Sequence, residues 1–281
     1  MISSKLSHQE IARLVELGEA EAYAEMFLAA PAGVAADFGI RVERVGSAIA
    51  LITKKMDIML FNRVIGLGIT EPATEAMVDE IVALYYRAGI QSFGVQLSPT
   101  ARPTALPAWL KTRGLICRDN WAKVYRGVES PPLIPTNLRL ECIDPEHAVA
   151  FARVACTAFG MPDTLRPLFA AFVGRPGWRH YLAWDDDLPV ATGALYIRGQ
   201  VGWLGVGSTL PSHRRRGAQG AIMAQRIQDA LELGCRWLIT ETGEDTPSRP
   251  NSSYHNMVRT GFELAYQRPN YIFEASPASK K

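Results

Sequence analysis

The sequence has few cysteines and histidines, and their positions exclude several kinds of site. The five histidines include no His-x-x-x-His pair of the kind that binds zinc on a helix, and no Gly-x-Ser-x-Gly nucleophile turn occurs. The four cysteines, which show no metal-ligand spacing, are Cys117, Cys142, Cys156 and Cys235. We therefore expect no metal, reduced and mostly buried thiols, and a cytoplasmic location.

The chain also lacks a strong net charge and long hydrophobic runs. Its formal net charge is only +2 over 281 residues, and the one basic run is Arg214 to Arg216. No uncharged stretch reaches the roughly 18 residues that a membrane-spanning helix needs. We expect neither a nucleic-acid partner nor a membrane partner.

The most informative segment joins an apolar strand, Val201 to Val206, to an amphipathic helix through a basic turn that contains glycines. Backbone N–H groups at the first turn of a helix have no partner within the helix, and the helix dipole places partial positive charge there. Arg214, Arg215 and Arg216 add charge, and Gly217 and Gly220 leave room for a close approach. The segment therefore predicts a diphosphate site over Arg216 to Ala221.

The two common nucleotide-phosphate loops do not fit this segment. Neither Gly-x-x-x-x-Gly-Lys-Ser/Thr nor a Gly-x-Gly-x-x-Gly turn followed by an acidic residue is present. The segment instead resembles the acetyl-CoA loop of the GNAT superfamily of N-acetyltransferases, which reads Gln/Arg-x-x-Gly-x-Gly/Ala. Arg214 and Gly217 match that pattern, Gln219 departs from its last small residue, and Gly220 follows one place later.

A second segment, Asn251 to Phe262, resembles the closing element of the same family, a short helix that ends in Gly-Phe before a final strand, here Tyr266 to Phe273. The family often carries a tyrosine four residues before this glycine, as the acid that protonates the departing thiolate. Met257 stands there in this chain and cannot donate a proton. That role is therefore either vacant or moved to Tyr254 or His255.

The resemblance implies acetyl-CoA as co-substrate and direct attack of an amine on its thioester. A backbone N–H near Ser208 would stabilise the oxyanion, and Tyr254 would be the acid. Glu241, at the end of a strand over Cys235 to Thr240, is our candidate base, with Glu244 and Asp245 in reserve. The expected coenzyme-binding residues are Val206, Gly207, Ser208, Thr209, Arg214, Arg215, Arg216, Gly217, Ala218, Gln219, Gly220, Ala221, Asn251 and Asn256.

The chain also contains an internal repeat. Ile65 to Pro72 aligns with Leu204 to Pro211, with both glycines, the threonine and the proline coinciding. Phe93 to Gln96 likewise mirrors Leu238 to Glu241, and Arg113 to Leu115 mirrors Thr260 to Phe262.

In the first copy the strand-to-helix turn, Glu71 to Ala76, is short and acidic, so it would repel a diphosphate. We therefore expect an α/β fold with mixed sheets, made of two tandem GNAT-like acyl-CoA N-acyltransferase domains. A degenerate domain without a phosphate loop would span residues 1–130, and an acetyl-CoA-binding domain would span 137–281. A proline-rich linker, Val128 to Pro135, would join them.

The acceptor is not specified by any motif. We expect a small-molecule amine, and four aromatic residues are candidates to line its pocket: Trp178, Tyr181, Tyr196 and Trp203. The first half of the chain would then shape that pocket. Three alternatives remain open, namely a non-catalytic acyl-CoA sensor, which Met257 favours, an acetyltransferase that modifies protein or tRNA, and a structural module whose arginine turn contacts an acidic partner. The sequence leaves the oligomeric state undetermined.

Overall fold

The computed structural model describes residues 6–56 and 58–275, so the outer ends of both expected domains lie outside it. The helices are α1 (His8–Leu28), α2 (Ala32–Phe38), α3 (Glu75–Ala88), α4 (Leu106–Thr112), α5 (Ala148–Phe159), α6 (Arg166–Ala171), α7 (Ala218–Glu232) and α8 (Ser252–Arg259). The strands are β1 (Ile40–Val45), β2 (Ala48–Thr53), β3 (Arg63–Ile65), β4 (Ser92–Gln96), β5 (Ile116–Arg126), β6 (Arg139–Ile143), β7 (Trp178–Asp185), β8 (Leu188–Arg198), β9 (Val201–Thr209), β10 (Trp237–Gly243) and β11 (Glu263–Glu274).

The chain divides into two compact units that are not contiguous in sequence. The first contains the described residues up to Leu28, then Ala35–Trp121 and those from Tyr266 onward; the second contains Ala29–Val34 and Ala122–Ala265. Strand β5 therefore begins in the first unit and ends in the second, and β11 does the reverse. The expected division at 130 and 137 follows the repeats and stays a prediction; it differs from these units in the placement of β5 and β11.

The sheet of the first unit is built by β1, β2, β3 and β4 in that order, followed by β11. All neighbours in this series are antiparallel except β3 and β4, which are parallel. Helix α3 begins with its own cap, because the Thr74 hydroxyl accepts a hydrogen bond from the Met77 N–H at 3.2 Å. Near this turn, the Glu71 carboxylate accepts from the Ser47 N–H at 3.0 Å. The helix start of the first copy is thus occupied by side chains of the unit itself.

Charged residues are buried in the first unit as a paired network. The Arg268 guanidinium donates to Glu16 at 3.2 Å and to Glu19 at 2.6 and 3.0 Å, and all three side chains are fully buried. The Tyr266 hydroxyl donates to Glu16 at 2.7 Å. Because buried charges are tolerated only when they are paired, this network ties β11 to α1 within the unit.

The second unit repeats the strand pattern of the first. Strands β6, β7, β8 and β9 are successive antiparallel neighbours, β10 joins β9 in parallel, and β5 lies next to β10. Its core cluster includes Leu204, Ile222, Ile227 and Leu238. The repeat is therefore visible as an antiparallel series that ends in one parallel pair.

The four aromatic residues expected to line one pocket do not share a face of this sheet. Tyr181 donates its hydroxyl to Asp229 of α7 at 2.7 Å. Trp178, on the opposite face by strand alternation, packs against Phe172 and Trp203 instead. Trp178, Tyr181 and Trp203 are buried, so these three residues form core structure on two sides of the sheet.

The cysteines and the membrane prediction can be compared with the structure directly. Cys156 and Cys235 are buried, whereas Cys117 and Cys142 are exposed, so only half of the thiols are buried as expected. Within residues 6–56 and 58–275, no helix is both long and apolar enough to cross a membrane.

His180 is a buried histidine that makes stability depend on pH. It packs among Phe151, Phe172 and Trp178, and neither ring nitrogen has a hydrogen-bond partner in the described part of the chain. Burial lowers the pKa of His180 to about 3. The unfolded chain binds a proton at this residue below its ordinary pKa near 6.5, whereas the folded chain does not, so stability falls as the pH drops from about 6.5 toward 3.

We predict that His180→Phe weakens this dependence. The wild type should lose about 2 kcal/mol between pH 7 and pH 5 through His180 alone, and the variant should not show that component. Urea unfolding at both pH values measures the difference, and the exposed His8→Gln variant serves as the control. An equal pH dependence in wild type and His180→Phe would contradict the prediction.

Candidate active site

The candidate site lies where two parallel strands of the second unit separate. Strands β9 and β10 pair only over Val201–Trp203 and Trp237–Ile239, although both continue beyond those residues. The Thr240 hydroxyl still reaches across to the Leu204 carbonyl at 2.7 Å. From there on, backbone groups of β9 on this side have no strand partner, and they form one wall of an opening that we call the fork.

A β-bulge distorts β9 at the fork. Thr192 pairs with Ser208 and Ala194 pairs with Gly205, so Val206 and Gly207 together oppose a single residue of β8. Val206 has a φ of +51°, which is rare for a β-branched residue. Such backbone strain is characteristic of functional sites, where it redirects peptide groups.

The bulge determines which backbone N–H groups face the fork. The Leu210 N–H donates to the Val190 carbonyl at 2.9 Å, and hydrogen-bonded pairs alternate along antiparallel strands. Thr192 and Ser208 form the next such pair, so the Ser208 N–H is directed toward β8. The oxyanion donor expected near Ser208 stays a prediction, with the bulge residues Val206 and Gly207 as its candidates.

Sequence reasoning missed Arg226, a buried arginine that supports the bulge from α7. Its guanidinium donates to the Ala194 carbonyl at 3.0 Å and to the Gly205 carbonyl at 3.1 Å. Burial lowers the pKa of Arg226 to about 10. The signal in the sequence was a charged residue on the apolar face of the helix, beside Ile222 and Ile227.

The basic turn leads into α7 through an N-terminus that no side chain caps. Gly217 is the N-cap residue, with a φ of +82°, and makes no side-chain cap hydrogen bond. The Gly217 carbonyl accepts the first hydrogen bond of the helix, which the Ala221 N–H donates. The N–H groups of Ala218, Gln219 and Gly220 therefore stand at the helix end, where an anion is favoured by hydrogen bonding and by the dipole.

The three arginines of the turn are not equivalent. Arg216 forms a two-pronged ion pair with Asp185, at 2.5 and 2.8 Å, and this pair lowers the pKa of the Asp185 carboxyl. His213 lies 3.2 Å from the same carboxylate. Arg214 and Arg215 are exposed. Arg216 therefore anchors the turn to the β7–β8 hairpin, while Arg214 and Arg215 remain as surface charge.

Gln219, the departure from the family pattern, turns its side chain back onto the strands. Its Nε2 donates to the Ser208 carbonyl at 2.6 Å, the Thr209 hydroxyl at 3.0 Å and the Thr192 carbonyl at 3.3 Å. A Cβ on Gly207 would lie 2.8 Å from its Oε1. Gln219 thus joins the start of α7 to the strand beside the bulge.

The two glycines of the turn are required by the linker that precedes β6. A Cβ on Gly217 would lie 2.5 Å from the Pro135 carbonyl oxygen, and one on Gly220 would lie 2.9 Å from the Ile134 side chain. The Thr136 hydroxyl donates to the Arg216 carbonyl at 2.9 Å. The linker therefore supports the turn, a role that its proline content did not indicate.

Helix α8 contributes the remaining expected residues. The Asn251 side chain caps α8 by accepting from the Ser253 and Tyr254 N–H groups, and its amide donates to Thr242 and to the Gly243 carbonyl. Asn256 lies 3.4 Å from Arg259, and Met257 is buried in the core. Asn251 is thus committed to shaping the turn after β10.

Glu241 lies at the fork, as expected of the candidate base. Its side chain is 7% exposed, and its Oε2 accepts from the Lys123 ammonium at 3.2 Å and from the Trp203 indole N–H at 3.0 Å. The reserve candidate Asp245 accepts from the Asn251 N–H at 2.5 Å and lies 3.3 Å from His255. The described residues contain no cluster of ligands that would hold a metal ion.

The contact between linker and turn gives a stability prediction. Gly217→Ala should destabilise the chain by roughly 2–4 kcal/mol, because it adds a clash with a backbone carbonyl to the strain of a positive φ. Gly234→Ala is the matched control, since Gly234 also has a positive φ, +87°, but open space around it, and should cost only about 1 kcal/mol. Urea unfolding measures both, and equal losses would refute the role of the linker.

Comparisons with known proteins agree with this geometry. Residues 148–250 match the model of the acetyltransferase (GNAT) family. A search of the curated proteins finds no match.

Solved structures of similar fold cover nearly the whole chain. A GCN5-related N-acetyltransferase from Kribbella flavida is 19% identical with a TM-score of 0.63, and the match covers 94% of this chain and 97% of that one. A tandem GNAT protein from the clavulanic acid biosynthesis pathway, solved without AcCoA, is 15% identical with a TM-score of 0.61, over 96% and 95% of the two chains. A GCN5-related N-acetyltransferase from Sphaerobacter thermophilus is 14% identical with a TM-score of 0.61, over 82% and 77%.

At these identities the structures establish the fold alone, and the family model covers residues 148–250, which include the fork and the basic turn. The chain therefore has the fold of these GNAT acetyltransferases over most of its length, and its residues 148–250 match the GNAT acetyltransferase family.

Proposed function

We propose that the protein transfers an acetyl group from acetyl-CoA to the amine of a small molecule, and that only the second copy binds the coenzyme. The observation that carries this proposal is the fork, an opened pair of parallel strands that leads directly into an uncapped helix N-terminus flanked by exposed arginines. An extended ligand with a diphosphate at one end matches both parts of such a site.

The residues present fit acetyl-CoA at each end of this path. The N–H groups of Ala218, Gln219 and Gly220 would bind the diphosphate, with Arg214 and Arg215 adding charge. The unpaired edge of β9 beyond Trp203 would bind the amide groups of the pantetheine arm, as a strand binds an extended peptide. The coenzyme supplies an activated acyl group as a thioester.

The bulge and Glu241 would then serve the chemical step. A backbone N–H of Val206 or Gly207 would stabilise the oxyanion of the tetrahedral intermediate, a contribution of about 3 kcal/mol in comparable sites. An alkylamine has an ordinary pKa of about 10, so it must lose a proton before it attacks. We assign that proton to Glu241, directly or through one water molecule.

A dedicated acid is less important than the base in this reaction. Met257 is buried and cannot donate a proton, while Tyr254 packs its ring partly against the core. A thiol has an ordinary pKa of about 8.5, so a thiolate leaves readily near neutral pH. Tyr254 is our candidate for protonating it.

The exposed arginines of the turn allow a test of the diphosphate site. The double variant Arg214→Gln with Arg215→Gln should bind CoA about tenfold more weakly than the wild type, because two charge-assisted contacts are lost. Its affinity for pantetheine, which has no diphosphate, should not change. Calorimetry with both ligands measures this, and the wild type should bind one CoA per chain.

The exposed Arg153→Gln variant, on α5, is the control for a general change of surface charge. We avoid a charged substitution at Gly217, since any side chain there meets the Pro135 carbonyl and would disturb the turn by itself. Two CoA molecules per chain, or equal CoA affinity in the wild type and the double variant, would remove the assignment.

The role of Glu241 as the base can be tested by removing its charge. Glu241→Gln should lower kcat for thiol release by about 10²- to 10⁴-fold, because the amine then has no proton acceptor, while CoA affinity stays within about twofold. The exposed Glu232→Gln variant, at the end of α7, is the control for the loss of one carboxylate and should retain activity, whereas Glu244→Gln tests the reserve candidate. The assay follows free thiol from acetyl-CoA with a panel of small amines, amino acids and aminoglycosides.

The same assay separates the proposal from its alternatives. Wild type that binds CoA but releases no thiol with any acceptor would be a sensor. Release only with a lysine-containing peptide or with tRNA would identify a macromolecular acceptor. Undiminished kcat in Glu241→Gln would place the base elsewhere.

A further inference from the structure

Lys123 is a buried cation that the site described so far does not use. It lies on β5 with a side chain that is 1% exposed, and its Nζ is 3.2 Å from the Oε2 of Glu241. An ammonium is strongly hydrated, so its burial is costly unless a carboxylate compensates it. The burial of Lys123 therefore depends on Glu241, the candidate base.

The pair is located at the point where the fork opens. Trp203 is the last residue of β9 that pairs with β10, and its indole N–H reaches the same carboxylate oxygen as Lys123. The indole ring lies across Gly205, where any Cβ would collide with it. Lys123 and Trp203 thus hold Glu241 from two strands, β5 and β9, beside the bulge.

The first copy carries an uncharged pair at the counterpart positions, and the charged groups there lie one contact further out, with Arg63 donating to Gln96 at 3.0 Å and Asn270 donating to Asp119 at 2.7 Å. Gln96, the repeat counterpart of Glu241, donates its amide to the Asn270 side chain at 2.8 Å. Asn270 follows Thr260 by as many residues as Lys123 follows Arg113, so these two residues are counterparts as well. In the first copy a residue of β4 contacts a residue of β11, and in the second copy a residue of β10 contacts a residue of β5. Strands β11 and β5 are each the last strand of the other repeat, and only the contact in the second copy is ionic.

We propose that Lys123 is a positioning residue for acyl transfer, which holds Glu241 in its orientation at the fork, so that a residue of the first repeat completes the active site of the second. This inference rests on the proposed function. A carboxylate accepts the amine proton only when it is directed at the amine, and the Lys123 ammonium and the Trp203 indole N–H hold its Oε2 in place. The neutral pair of the first copy lacks any such base.

Removal of the cation should lower the rate of the chemical step without weakening coenzyme binding. In Lys123→Met one of the two side-chain donors described for the Glu241 carboxylate is lost, while the Trp203 indole N–H remains. We expect kcat at pH 7 to fall at least tenfold and CoA affinity to stay within about twofold.

The conservative variant Lys123→Arg keeps a charged donor to the carboxylate and should recover most of the wild-type kcat. Wild-type kcat in Lys123→Met, or no recovery of kcat in Lys123→Arg, would overturn the proposal. If the wild type itself releases no thiol with any acceptor, the proposed function has failed, which is a different result from equal kcat values in an active enzyme.

A second comparison covers the case in which Lys123→Met does not fold. Adding Lys123→Asn to Glu241→Gln reproduces the neutral pair of the first copy, which the fold already accommodates. Because Lys123 acts through Glu241, the added change should not lower kcat further, and residual kcat should agree within about twofold. A further loss of tenfold or more at unchanged CoA affinity would show that Lys123 acts independently, against the proposal.

Discussion

The candidate site depends on keeping two parallel strands apart after three residue pairs. Parallel strands normally continue to pair, because each unpaired N–H and carbonyl group otherwise costs free energy. Here the Thr240 hydroxyl satisfies the Leu204 carbonyl, and Arg226 satisfies the Gly205 carbonyl from the helix side. The fork is therefore a stable opening in which the remaining edge groups of β9 face no strand of the described chain.

The positions of the elements around this opening follow from local sequence patterns. The apolar run Val201 to Val206 predicted β9, and the amphipathic pattern after the basic turn predicted α7. The structure extends β9 to Thr209, because pairing with β8 continues past the apolar run. The basic turn was recognisable because its arginines and glycines are contiguous in sequence.

Contacts between distant segments could not be predicted in this way. Asp185 lies 31 positions from the Arg216 that it binds, and Lys123 lies 118 positions from Glu241. The residues next to Arg216 and Lys123 in the sequence do not show that the first is anchored by an ion pair or that the second is buried. The linker beside Gly217 is a similar case. Its prolines indicated only a break in periodicity, whereas the Pro135 carbonyl leaves no room for a side chain at position 217.

The passage of β5 from one unit to the other, and of β11 in the opposite direction, has an evolutionary consequence. A gene duplication that leaves each copy dependent on the terminal strand of its sister cannot be reversed by deleting either copy. Loss of the amino-terminal repeat would therefore remove the β5 residues that complete the second unit, whatever that repeat itself binds.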